Sequence, residues 1–371
     1  MTESDLKSMI AGIRPLDETA VYAAIERQAK LAKPPKSLGK LEDISIKLAG
    51  ITGNIDNRLE KRCVVVFAAD NGVVNEGVAV TPQSVTLKQS INMTRSKTGM
   101  SALAAFFGDE VKVVDVGIAS DLKYPGIIDR KVRPGTADML LGPAMTREEA
   151  IKAISAGIET VNELAANGTE IIGVGEMGIG NTTTSAAVLA CLLGKDADEV
   201  TGRGSGLTDE AFMHKKRVIR DSIKLNMPDQ NDAIDVISKV GGLDIAAMAG
   251  AYIACAANRI PAVADGFISI TAALCAVKLC PLVKDYVFLS HVSKEPGYRF
   301  AAEAIGLEPF LMLDMRLGEG SGCPIAFQIM RAACAVMNDM ATFEEASIDD
   351  GYLDTIKSID AFGDNTREDE R

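Results

Sequence analysis

One acid near the end of the chain, Glu319, stands between glycines in the segment 313–322, Leu-Asp-Met-Arg-Leu-Gly-Glu-Gly-Ser-Gly. A carboxylate flanked by glycine is poor helix and poor strand, so the backbone there is shaped for close approach. Small neighbours allow partial desolvation, which lifts a carboxyl pKa towards neutrality and makes a general base. Taken alone, Glu319 reads as a cap for the helix beginning near Ser321. Its company argues for chemistry, because four further glycine-punctuated segments make sense only together with it.

The first of these, 171–184, reads Ile-Ile-Gly-Val-Gly-Glu-Met-Gly-Ile-Gly-Asn-Thr-Thr-Thr: a strand, a glycine loop and a helix start. Exposed amides there, with Asn181 and Thr182 as caps, form an anion site. The Gly-Lys-Ser/Thr ending of a nucleoside triphosphate loop is missing, and the glycine spacing is wrong for a dinucleotide. A phosphomonoester fits better. Gly-Arg-Gly-Ser-Gly at 202–206 is a second loop, followed by a helix carrying Lys215, which by itself reads as a solvated helical lysine. Asp265-Gly266 and the segment 290–297, Ser-His-Val-Ser-Lys-Glu-Pro-Gly, end two further strands, and His291 alone reads as structural. Glu176 and Glu319 are the two carboxylates set in glycine loops. Such a pair suits a cationic, oxocarbenium-like transition state, with one acid as base and negative charge stabilising the sugar. The residues alone therefore point to a metal-free enzyme acting on a phosphosugar or nucleotide.

These residues need elements to position them. The chain has 371 residues, enough for roughly two domains. An apolar fraction of 47% without Trp describes a soluble chain with a large aliphatic core. A net charge of −12 argues against nucleic acid or an anionic membrane as partner. The first 15 residues lack a signal-peptide hydrophobic region, and no apolar run is long enough to span a membrane. Cys63, Cys191, Cys255, Cys275, Cys280, Cys323 and Cys334 are odd in number, form no Cys-x-x-Cys pair and lie mostly in apolar runs. They read as buried reduced thiols of a cytoplasmic protein, with no metal or other cofactor expected.

Short apolar runs at 63–69, 111–116, 170–174, 260–264 and 286–289 read as strands buried on both faces. Between them, helices are expected over 101–107, 147–166, 182–193, 209–225, 245–257 and 268–279. The alternation predicts an α/β fold: a doubly wound, mostly parallel sheet with helices on both faces and ligands at the carboxyl ends of its strands. Helices over 22–31 and 41–51 flank a Pro-Pro-Lys-Ser-Leu-Gly turn, and helices over 324–340 and 344–357 close the chain. The expected division is a small helical domain from 1–55 and 323–359, an α/β substrate-binding domain over 56–322, and a charged, disordered tail over 360–371. No internal repeat is evident.

The ordered segments 34–42, 68–73 (Ala-Ala-Asp-Asn-Gly-Val), 82–86 (Pro-Gln-Ser-Val-Thr), 175–183, 202–209, 241–244, 265–266, 291–297 and 316–322 resemble one family over nearly the whole chain. It is the nicotinate-nucleotide:dimethylbenzimidazole phosphoribosyltransferase family of cobamide synthesis. The resemblance implies transfer of the phosphoribosyl group of nicotinate mononucleotide to an aromatic base, with inversion at C1′. It implies Glu319 as general base and Glu176 as the acid at the ribosyl end. It implies Gly178, Gly180, Asn181, Thr182, Gly204, Lys215, Asp265, Gly266 and Ser293 around the phosphate and ribose. It implies Ala79, Thr81, Gln83, Lys88, Met177 and Leu317 around the base, and a homodimer.

Departures from the family pattern fall on the base pocket. Thr81 stands where many relatives carry Tyr, Lys88 where they carry Gln, and Asn71 where His is frequent. A lysine at the acceptor favours one that becomes anionic. The competing expectations are therefore a phenol, p-cresol or purine acceptor, with a homologous second subunit in a heterodimer. A non-catalytic nucleotide-binding homologue and a hydrolase releasing nicotinate are further alternatives.

Overall fold

The structure, a computed structural model, describes residues 1–204 and 206–353. Its centre is a sheet of seven parallel strands among the described residues: β1 (Arg62–Ala69), β2 (Glu110–Gly117), β3 (Ile127–Asp129), β4 (Ile171–Met177), β5 (Ala262–Ala264), β6 (Val287–His291) and β7 (Pro309–Leu311). Their spatial order is β3-β2-β1-β4-β5-β6-β7. The order reverses between β1 and β4, the point at which an open α/β sheet leaves a crevice at its carboxyl edge. Both strands are buried along their whole length. The pairing Phe67↔Glu176 and Ala68↔Met177 brings Asp70, just past β1, beside the first glycine loop.

The chain divides into two compact units, one of Met1–Pro15 and Glu60–Phe327, the other of Leu16–Leu59 and Gln328–Arg371. The first fifteen residues thus fall with the α/β unit and not with the helical one. Their helix, Glu3–Ala11, which the sequence reading missed, is held there by Glu3, whose carboxylate oxygens accept from Arg147 at 3.0 and 3.1 Å. In the smaller unit, helices Glu18–Lys30 and Lys40–Thr52 bury Ala20, Ala24 and Ala49 with Met337. Arg27 donates to the carbonyls of Met337 and Met340 at the end of helix Cys323–Asp339, and a buried Lys33–Glu42 pair at 2.7 Å ties down the Pro-Pro turn. Of the expected helix over 344–357, only Leu353 is helical among the described residues. Residues 344–347 are turns, tightened by Thr342 and Glu345 capping one another, and residues 354–371, with the charged tail, lie outside the described residues.

Within the larger unit, the sequence-expected strands and helices form with ends shifted by a few residues. Helix Val85–Met93, rich in β-branched and polar side chains, was not foreseen. No helix among the described residues is long and apolar enough to cross a membrane. The seven cysteines are buried.

Two glycines of β4 let the C-terminal segment lie against the sheet. A Cβ on Gly175 would stand 2.6 Å from the carbonyl oxygen of Glu319, and one on Gly173 2.5 Å from Cβ of Cys323. The loop carrying Glu319 therefore rests on the backbone of β4. Gly175→Ala is expected to lower stability by about 1–3 kcal/mol through overpacking, read by denaturant unfolding. Turnover should fall with it, since the displaced loop holds Glu319. Unchanged unfolding and turnover would mean that the loop does not depend on this contact.

Candidate active site

At the carboxyl edge of β1, β4, β5 and β6 lies a cavity of about 290 Å³, within the α/β unit. Glu319 forms part of its wall with 6% of its surface exposed. Three successive residues, Gly318, Glu319 and Gly320, have φ of 79°, 64° and 88°. A left-handed Glu is strained, and the surrounding bonds hold it there. Its amide donates to Oε1 of Glu176 at 3.2 Å. The amides of Gly320 and Gly322 donate to Oδ2 and Oδ1 of Asp265 at 3.0 and 2.7 Å. The Glu319 carboxylate then points to the far wall, where Met100 N–H donates to Oε2 at 3.3 Å and Gln89 Nε2 to Oε1 at 3.4 Å. Burial pushes its pKa up. The Met100 amide and the side chains of Thr98 and Gln89 oppose that shift, and the charge of Asp265 adds to it.

Glu176 ends β4 and is equally buried. Its Oε2 accepts a short bond from Asn181 Nδ2. Burial pushes its carboxyl up to about 8, with Asn181 and the Glu319 amide pulling down and the charges of Asp244 and Asp265 pushing further up. Asp265 is raised for the same first reason, with His291 nearby at 3.7 Å lowering it.

The phosphate-type end is made by the loop before helix Asn181–Leu193. Gly180 takes φ 92° at the N-cap, and Gly178, Gly180, Asn181 and Thr182 line the cavity with Gly204, Gly266 and Ser293. The N-terminus of this helix offers its free amides and dipole to an anion. Lys215 differs from the expectation. It is fully buried and absent from the cavity wall, and its Nζ donates to Thr182 Oγ1 at 2.9 Å, so it charges the loop from beneath. Burial lowers its pKa to about 8 against the raising effect of Glu295.

The base end gathers Ala79, Thr81, Met177 and Leu317, joined by Val85. Two expected members stand elsewhere. Lys88 is exposed on the outer side of helix Val85–Met93, and Gln89, one residue on, faces the cavity. Gln83 serves the carboxyl of Asp70 instead of lining the wall. The helix starts at Val85, so its i+4 neighbour is Gln89, and spacing from the motif alone puts the position one residue early. Gln89, Arg316 and Glu295 are cavity residues that the sequence reading did not select. Among the described residues, no group of three or more His, Cys, Asp or Glu side chains is placed to hold a metal.

A doubly wound sheet with a phosphate-type loop and two buried carboxylates at its switch point defines a class of nucleotide-handling α/β enzymes. A family model described as phosphoribosyltransferase matches residues 13–348, and the chain belongs to this family. The chain is 50% identical over 357 residues to the nicotinate-nucleotide–dimethylbenzimidazole phosphoribosyltransferase of Clostridium perfringens strain 13, covering 96% of this chain and 99% of that protein. It is 46% identical to the protein of the same name from Geobacter metallireducens, covering 93% and 98%. A crystal structure of the Thermus thermophilus protein so named superposes with a TM-score of 0.85 at 40% identity, over 91% of this chain and all of that one.

Glu176 in the folded chain keeps its proton up to about 8, against an ordinary value of 4.5. Between those values the folded state binds more protons than the unfolded state. Its contribution to stability is therefore fully present below about 4.5 and is lost as pH rises through about 8. Glu176→Gln should remove this loss and raise stability above pH 8 by up to about 5 kcal/mol, while turnover falls. Unfolding curves of both proteins across that range check it, and parallel pH dependences would exclude Glu176 as the buried titrating group. For Lys88, exposed beyond the cavity, Lys88→Ala should leave acceptor preference unchanged in competition between dimethylbenzimidazole and p-cresol.

Proposed function

We propose that this chain transfers the 5-phosphoribosyl group of nicotinate mononucleotide to dimethylbenzimidazole, giving an α-ribotide and nicotinate. The names of its relatives support the substrate pair, and the observation that carries the chemistry is Glu319, a buried carboxylate with a raised pKa facing the cavity. The bond between C1′ and the pyridinium nitrogen breaks, and its electron pair stays on nicotinate. A ring nitrogen of the base forms the new bond to C1′ from the opposite face. The second ring nitrogen gives up its proton to Glu319.

Glu176 lines the same cavity; the positive pyridinium of the bound substrate favours its ionised form, in which it supplies negative charge to the ribosyl cation as it develops. The Gly178–Thr182 loop, Gly204 and Ser293 take the phosphate, with Lys215 acting on it through Thr182. Val85, Met177 and Leu317 give the flat aromatic acceptor an apolar slot. The pyridinium leaves without needing a proton, so the site handles one proton, that of the acceptor. Of the two residues behind the phenol reading, Lys88 stands outside the cavity and Thr81 alone remains on its wall, which favours dimethylbenzimidazole. The assembly we propose is a homodimer, and the compartment the cytoplasm, which suits seven buried cysteines.

Glu319→Gln is expected to lower turnover by roughly 10²–10⁴-fold, as for loss of a general base, while the affinity for nicotinate mononucleotide stays within about threefold. Mass spectrometry of the product from wild type, supplied with both substrates, tests the reaction itself. Comparable turnover in the variant would remove Glu319 from the mechanism.

A further inference from the structure

Three segments that mark the family resemblance converge beneath the cavity, and only one of them, Gly178, reaches its wall. They are Asn71 after β1, Gly178 after β4, and the Gly-Gly-Leu-Asp sequence at 241–244 that opens helix Leu243–Ala257. Asp244 is fully buried and absent from the cavity wall. A Cβ on Gly242 would stand 2.2 Å from its Oδ1 and 2.6 Å from Oδ1 of Asn71. A Cβ on Gly178 would stand 3.1 Å from its Oδ2. Both glycines are thus the space that lets this carboxylate come under the loop.

Asp244 reaches the site through one side chain. Asn181 Nδ2 has two protons: one is donated to Glu176 Oε2 in a short bond, the other to Asp244 Oδ2 at 3.1 Å. Both bonds demand that the amide nitrogen, and not the amide oxygen, face the two acids. If the second acceptor were removed, the carboxamide could turn and present its oxygen to Glu176. We infer that Asp244 is a positioning residue for the transfer, a buried acceptor that fixes the Asn181 carboxamide and thereby aims the Glu176 carboxylate at the ribosyl group. This rests on the proposed role of Glu176 and extends it to a residue that touches no substrate.

The arrangement explains why an acid is kept where burial is costly. Its first-turn position in helix Leu243–Ala257 supplies amide donors that lower the cost, yet Oδ1 has no partner within hydrogen-bond distance. An acid kept only to cap the helix would not need its second oxygen turned to Asn181.

The test is a double-mutant cycle on the full chain with Asp244→Leu, which keeps the volume and removes the acceptor, and Glu176→Gln, reading kcat and KM for nicotinate mononucleotide. Asp244→Leu is expected to lower kcat by roughly 10- to 10²-fold, the cost of a misplaced group, with KM within about twofold. In the Glu176→Gln background the same substitution should change kcat by less than about twofold, because its effect passes through Glu176. Effects that multiply in the double variant would overturn the inference, as would an Asp244→Leu variant with unaltered kcat. Asp244→Ser serves as a second variant, and if neither variant folds, Asp244 is a packing residue and the assignment falls. The proposed role of Glu176 fails separately, when Glu176→Gln alone leaves kcat unchanged.

Discussion

The site depends on a single constraint: the left-handed turn at Gly318, Glu319 and Gly320 is held by carboxylates of the sheet. Asp265, just past β5, accepts the amides of Gly320 and Gly322, and Glu176, at the end of β4, accepts the amide of Glu319. β4 and β5 are neighbours in the sheet, so the two acceptors are spaced by strand pairing and not by a flexible loop. Gly175 then lets the turn sit on β4 itself. An unpartnered amide in this buried place would cost about 1–3 kcal/mol, so each bond both satisfies the backbone and fixes a side chain. Glu319 is exposed to the cavity because its own backbone has been pulled away from it.

The same interactions set the electrostatics. Glu176, Asp244, Asp265 and Glu319 are all buried, and burial is the first cause of each raised pKa. Asp244 is pushed up to about 6 and Glu176 to about 8. Lys215 lies beneath the glycine loop, with burial pressing its pKa in the opposite direction. One end of the cavity thus favours positive charge and the other an anion. That polarity matches a phosphorylated sugar which becomes cationic at C1′. It also makes the folded chain less stable at alkaline pH than an apolar replacement would be, a cost typical of a site shaped for chemistry.

The sheet was legible because β1, β2 and β4 are continuous apolar runs ending in glycine or Asp-Asn-Gly. The glycine segments were legible because close approach leaves its mark in residue type. Side-chain facing was less so. Lys215 by itself reads as a solvated lysine, and only the resemblance puts it at the phosphate, although it shares a helical face with Val218, Ile219 and Ser222, all buried, at i+3, i+4 and i+7. That signal was in the sequence. The choice between Lys88 and Gln89 required the start of helix Val85–Met93, which its mixed composition hides. Asp244 could not be read as part of the site at all, since its link to Glu176 runs through Asn181, 63 residues away in sequence.

The two glutamates differ in a way that divides the work of the proposed reaction between them. Each oxygen of Glu176 is bound by a donor fixed to the scaffold: the Asn181 amide, itself anchored on Asp244, and the backbone of Glu319. A carboxyl so fixed, ionised beside the cationic substrate, suits steady negative charge next to a developing cation, because it need not reorganise as charge appears. Glu319 receives longer bonds of 3.3 and 3.4 Å, one of them from the flexible side chain of Gln89. Weaker donation holds its lone pairs less tightly and allows the Gln89 contact to yield as a proton arrives from the acceptor. A base must change state during the reaction and a stabilising charge must not. The hydrogen-bond pattern gives Glu319 the first property and Glu176 the second.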